Sequence, residues 1–134
     1  MKWRLVVVLV LLWALPAFAN PDDHEVAGMA KIWLALVDAK NYPDSWKDAA
    51  DIFHQGVSEA KWNSMVGSIR DKVGPVKSRD FQSAQFTKTL PGVPDGDYAI
   101  VSFRTDFETK GASTEVITLV HENGNWKVGG YFIQ

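Results

Sequence analysis

The spacing of apolar residues changes at Gly74-Pro75, and this limits the chain to a helical half followed by a sheet half. Before that point, Val26, Met29, Ala30, Trp33 and Val37 recur at helical spacing and mark a first helix ending near Lys40-Asn41. Asp22, with Glu25 three residues later, has the form of a capping box with Asp as the cap. Tyr42 precedes a proline and should be extended, whereas Pro43 suits the first position of a helix. Trp46, Ala49, Ala50 and Phe53 form the next stripe; Asp44, Asp48 and Asp51 point away from it, and Gly56 is its stop. Ser58 caps a third helix carrying Trp62, Met65, Val66, Ile69 and Val73, closed by Gly74 and Pro75.

Beyond Pro75 the period is two. Ala99, Val101, Phe103 and Phe107 fall on one face of a strand whose other face carries Ser102, Arg104 and Asp106. Thr114 to His121 reads as the next strand, and Asn123-Gly124 signals a tight hairpin into Trp126 to Ile133. Arg79 to Lys88 supplies an earlier strand of poorer alternation. Helices first and an antiparallel meander second predict an α+β domain: three N-terminal helices packed on one face of a four-stranded antiparallel sheet, in the order α-α-α-β-β-β-β.

Ahead of the helices, Lys2 and Arg4 precede an uncharged apolar run, Leu5 to Leu15, and then Ala17-Phe18-Ala19. That is the layout of a secretory signal peptide, with an apolar run short for a membrane span and polar Asn20-Pro21-Asp22-Asp23 after it. The expected organisation is residues 1–19 as signal and 20–134 as a single domain, periplasmic or secreted. The sequence has no cysteine, which excludes disulfides, thiolate metal sites and a thiol nucleophile. A lipid anchor would need a cysteine after the cleavage site, so a soluble product without membrane anchoring is expected. Without Lys2 and Arg4 the 16 acidic residues outnumber the basic ones by four, a balance that argues against a nucleic-acid partner.

Three strings then occur in order: Tyr42-Pro43-Asp44-Ser45-Trp46, Leu90-Pro91-Gly92-Val93-Pro94-Asp95-Gly96-Asp97-Tyr98 and Gly124-Asn125-Trp126-Lys127-Val128-Gly129-Gly130-Tyr131. Together they resemble a bacterial exported family known as domain of unknown function 4019, from about Ala30 to Phe132. The resemblance implies a small cone-like α+β domain related to the cystatin-like and NTF2-like folds. It implies no activity, and so it transfers no catalytic residues.

Each chemically suggestive residue also has a structural reading. His54 follows Asp51 by three residues, as a proton-transfer pair would, yet it also lies in a last helical turn where a cation complements the helix dipole. Trp46, His54 and Trp62 would line a pocket between helices and sheet if one existed; Trp33, Trp46 and Trp62 on their helical stripes point instead to a core. His24, His54 and His121 have no metal-ligand spacing, so neither a metal nor another cofactor is expected. Gly129-Gly130 inside a strand marks a bulge or a close approach, with a helix the expected neighbour. Tyr98, Arg104 and Asp106 share one strand face, and Tyr131 and Ile133 lie opposite Phe132, so neither sheet face is wholly polar. Those five residues are the candidate surface for a ligand, a partner or a homodimer through the sheet face. The sequence therefore reads as a non-enzymatic binding or accessory module of the cell envelope. The alternative is a small-molecule carrier or enzyme with a pocket between helices and sheet.

Overall fold

The computed structural model describes residues 21–134, so the signal read over residues 1–19 lies outside the described residues. Four helices precede four strands: α1 (Pro21–Asp38), α2 (Tyr42–Lys47), α3 (Asp51–Gly56), α4 (Glu59–Val73), β1 (Val76–Thr87), β2 (Tyr98–Phe107), β3 (Gly111–Glu122) and β4 (Asn125–Ile133). The strands form one antiparallel sheet in the order β1-β2-β3-β4. The α+β class and the meander follow the sequence reading.

The helix count does not. The expected second helix is two, because Ala50 is extended (φ −71°, ψ 162°) and its N–H donates to the Val128 carbonyl at 2.7 Å instead of back along a helix. That bond ties the α2–α3 corner to the edge of β4. Tyr42 also opens α2 instead of lying extended before it. Asn41 takes the cap position, and the missing N–H of Pro43 falls in the first turn, where no intrahelical acceptor exists. At the start of α1, Pro21 is already helical, and Asp22 in the first turn favours the helix dipole. Ser58 caps α4 as expected, accepting from the Lys61 N–H at 3.2 Å.

The helices bury Val26, Leu34, Val37, Phe53, Trp62 and Val66 against Val101, Phe103, Ile117 and Leu119 on the inner face of the sheet. Trp33 joins Phe53 (6.4 Å between ring centres) and Tyr131 (5.4 Å) edge-on, and Phe53 meets Trp62 at 4.8 Å. Ser45, fully buried, holds this cluster: its carbonyl accepts from Trp33 Nε1 at 2.8 Å and its Oγ from Trp62 Nε1 at 2.9 Å. Met65 and Ile69, expected on the buried stripe of α4, are each 43% exposed, and Arg70 is buried in their place.

The glycine pair decides which way the last strand faces. Val128 pairs with Leu119 and Gly130 with Thr118, so Gly129 is the extra residue of a bulge. A Cβ there would meet Ile52 Cδ1 of α3 at 2.7 Å, which is the helix approach expected from the sequence. The bulge shifts the alternation, turning Tyr131 and Ile133 to the inner side and Phe132, 48% exposed, to the outer side. At the far end the outer face has a second small core. There the loop before β2 lays Leu90 and Val93 over Tyr98 and Val120, beside Ala50 and Ile52.

Candidate functional site

At one end of the sandwich the first turn of α1 stands over the ends of β1 and β4, leaving an open groove of about 460 Å³. Its wall is aromatic. Trp126, packed against the core on its other side, meets Phe86 at 6.1 Å and His121 at 5.0 Å between ring centres, both edge-on. Strand alternation places these rings: Phe86 pairs beside Ala99, and His121 faces Trp126 across the last hairpin. The rim carries Asp22 and Glu25 from α1, with Lys88 and Asp97 from the loop. Lys88 Nζ donates to the Asp97 carboxylate, and this bond together with the lysine charge lowers the Asp97 pKa. Carboxylates at the rim of an aromatic wall suit a small cation with an apolar body.

A second polar assembly is closed. Glu115 faces inward from β3 and is wholly buried. Its Oε1 accepts from Arg79 Nε at 2.7 Å and from Thr105 Oγ1 at 2.5 Å, and its Oε2 accepts from the Tyr131 hydroxyl. Arg79 then grips Asp38 with both Nη groups, at 2.7 and 3.0 Å, and Arg70 Nη2 donates to the same carboxylate at 2.8 Å. Burial opposes the charge on Asp38, but hydrogen bonds from Arg79 and Arg70 outweigh it and lower its pKa. Burial, followed by the Glu115 charge, raises the Tyr131 pKa well above the ordinary tyrosine value. Arg70 lies 5.5 Å above the Phe107 ring, and its Nε and Nη1 have no protein partner among the described residues. Two acids and two arginines balance, linking α1 and α4 to all four strands. With every carboxylate oxygen engaged, the assembly positions chain segments and has no free base.

The five residues expected to share a surface are divided. Tyr98 is 3% exposed beneath the loop, where its hydroxyl donates to the Pro94 carbonyl at 2.5 Å. Arg104 and Asp106 stay on the outer face, with Lys77 3.9 Å from Asp106. Tyr131 and Ile133 point the other way because of the Gly129 bulge, and line an apolar groove of about 270 Å³ beside α4. The three residues of the expected pocket are spent on packing. His54 Nε2 donates to the Trp46 carbonyl at 2.5 Å while its ring lies 4.3 Å from the indole. Trp46 Nε1 donates to the Val57 carbonyl at 2.9 Å, and Trp62 is 3% exposed.

Sequence reasoning missed Glu115, Arg79, Arg70, Asp38 and the Phe86–Trp126–His121 wall. Glu115 carried a signal, since it shares its strand face with Ile117 and Leu119 and so had to be buried once that face was. Among the described residues no group of three or more His, Cys, Asp and Glu is placed to hold a metal ion, and no helix is long and apolar enough to cross a membrane. No curated protein matches the chain. A family profile does, over residues 29–131, most of the chain, and all three strings and nearly all of the core lie inside the match. The chain belongs to that family, described as "Protein of unknown function (DUF4019)".

Proposed function

We propose that this chain is a non-catalytic binding module working outside the cytoplasm, in the cell envelope or secreted, and that its ligand is a small organic cation held in the groove at the mouth of the sandwich. The observation that carries this reading is the groove itself: Phe86, Trp126 and His121 form one wall, and Asp22, Glu25 and Asp97 crowd the rim. An alkylammonium or guanidinium group over the ring faces gains roughly 0.5–2 kcal/mol per contact, more where water is excluded. The groove's volume lies in the usual range of small-molecule sites. Support for binding without catalysis comes from the titratable groups best placed for chemistry. His54 is committed to a carbonyl and Glu115 to three donors. Support for export comes from the basic, apolar and small-residue layout of residues 1–19.

Calorimetric titration of a choline, polyamine and arginine-ester panel tests the reading. One cation should bind with micromolar-to-millimolar affinity and change tryptophan fluorescence. Phe86→Ala and Glu25→Gln, both at exposed positions, should each weaken it about tenfold, the equivalent of 1.4 kcal/mol. Equal binding by both variants, or no response to any cation, would overturn the proposal.

A further inference from the structure

Gln134 and Thr114 exchange both backbone hydrogen bonds, at 2.8 and 3.1 Å. Antiparallel pairs alternate, so Phe132 and Val116 also exchange bonds, whereas Tyr131 and Ile133 turn their N–H and C=O groups away from β3. On that side β4 has no strand neighbour among the described residues. The α3 corner covers this edge only as far as Val128, through the Ala50 bond, and Ile52 packs on Gly129. From Gly130 to Ile133 no other strand among the described residues pairs with this edge, and the stretch is uncharged and free of proline. The other edge strand, β1, is guarded: it has bulges at Lys77 and Gln82 and carries Arg79 and Asp80. Beside the open stretch lie Met65 and Ile69 of α4, 43% exposed each, and Phe132, 48% exposed.

We propose that this edge is completed by a second copy of the chain, with β4 pairing antiparallel to β4 about a two-fold axis at Phe132. The spacing is self-complementary. Rotation about Phe132 places Tyr131 opposite Ile133 of the second copy, so the outward groups of each strand meet those of the other and four backbone hydrogen bonds form. A shift of one residue would set outward groups against groups already bonded to β3, so only registers in phase with this one can pair. The two Phe132 rings become direct cross-strand neighbours on the outer face. On the inner face, the Ile133 and Tyr131 side chains of the second copy extend the wall beside Met65 and Ile69. The two four-stranded sheets then make one of eight strands. The inference does not depend on the cation groove, which lies at the opposite end of β4.

Two substitutions test it. Ile133→Pro removes an outward N–H while leaving the β3 pairing intact, since edge strands accept proline where the N–H faces out. Sedimentation equilibrium should give twice the monomer mass for the native chain at 100 μM and the monomer mass for Ile133→Pro. Phe132→Cys exploits the cysteine-free background. Facing Cα atoms at a non-hydrogen-bonded pair lie about 4.5 Å apart, within disulfide reach. The variant should form a disulfide-linked dimer under mild oxidation at least tenfold faster than exposed Lys110→Cys. A monomeric native chain, a dimeric Ile133→Pro, or equal cross-linking rates would each overturn the proposal. If Ile133→Pro fails to fold, the cross-linking comparison decides.

Discussion

Glu115 shows what one buried charge asks of its surroundings. It sits where a strand neighbour of Phe103 would ordinarily be apolar, and it is retained with donors from three other strands. Removing its charge while keeping its shape, as in Glu115→Gln, leaves Arg79 with half its counter-charge in a dry site. The expected loss is about 3 kcal/mol, read as a lower urea midpoint at unchanged slope. The same assembly sets both ends of the pH profile. Asp38 has a lowered pKa, so the unfolded chain binds its proton more readily than the folded one. Its contribution is therefore complete above the ordinary carboxylate range and fades as the pH falls through the folded value. Tyr131 is raised, so its contribution is complete below about pH 10, the ordinary tyrosine value, and is lost as the pH climbs from there. Thermal unfolding across pH should show Asp38→Asn flattening the acid limb and Tyr131→Phe the alkaline limb, each leaving the other unchanged.

At the scale of elements, two glycines sit where a side chain would crowd a neighbour. Gly74 closes α4 at φ +81°, and a Cβ there would lie 2.7 Å from Thr109 Oγ1 and 3.0 Å from the Thr109 backbone nitrogen. Gly74→Ala should cost about 2 kcal/mol, combining strain and clash. Gly129 has an ordinary φ but faces Ile52, whose terminal methyl can move. Gly129→Ala should cost nearer 1 kcal/mol, and Ile52→Val in the same chain should recover part of it, a coupling that a double-mutant cycle measures. Element types were legible from period and punctuation: Ser58 before α4, Gly74-Pro75 after it and Asn123-Gly124 between β3 and β4 all act locally. The break between α2 and α3 was not legible, because Ala50 gives up helical bonding for the carbonyl of Val128, 78 positions away in the chain. Nor could the stripe of α4 reveal that Met65 and Ile69 would stay outside and Arg70 go in. That choice belongs to Asp38 and Phe107, which α4 meets only after folding.

For the whole molecule, the helix layer covers the middle of the sheet and leaves its two ends different. One end opens into an aromatic, acidic groove; the other presents an apolar edge beside α4. The proposed export accounts for neither, but it would set where they act. Intact-mass measurement of the protein recovered from the producing cell's envelope should give a chain starting at Asn20, and Ala19→Leu should slow that processing severalfold. A product retaining residues 1–19 would return Trp3 and Trp13 to the working protein. The sequence alone determined the α+β class, the order of the halves, the meander and the demand for a core without disulfides, since each depends on local periodicity, turn chemistry or the absence of cysteine. The tertiary structure alone decided which side chains met. A one-residue bulge at Gly129 exchanged the faces of Tyr131 and Phe132, a loop buried Tyr98, and residues from α1, α4, β1, β2 and β4 assembled around Glu115. Those outcomes depend on contacts between distant segments, which a linear pattern of apolar and polar residues does not encode.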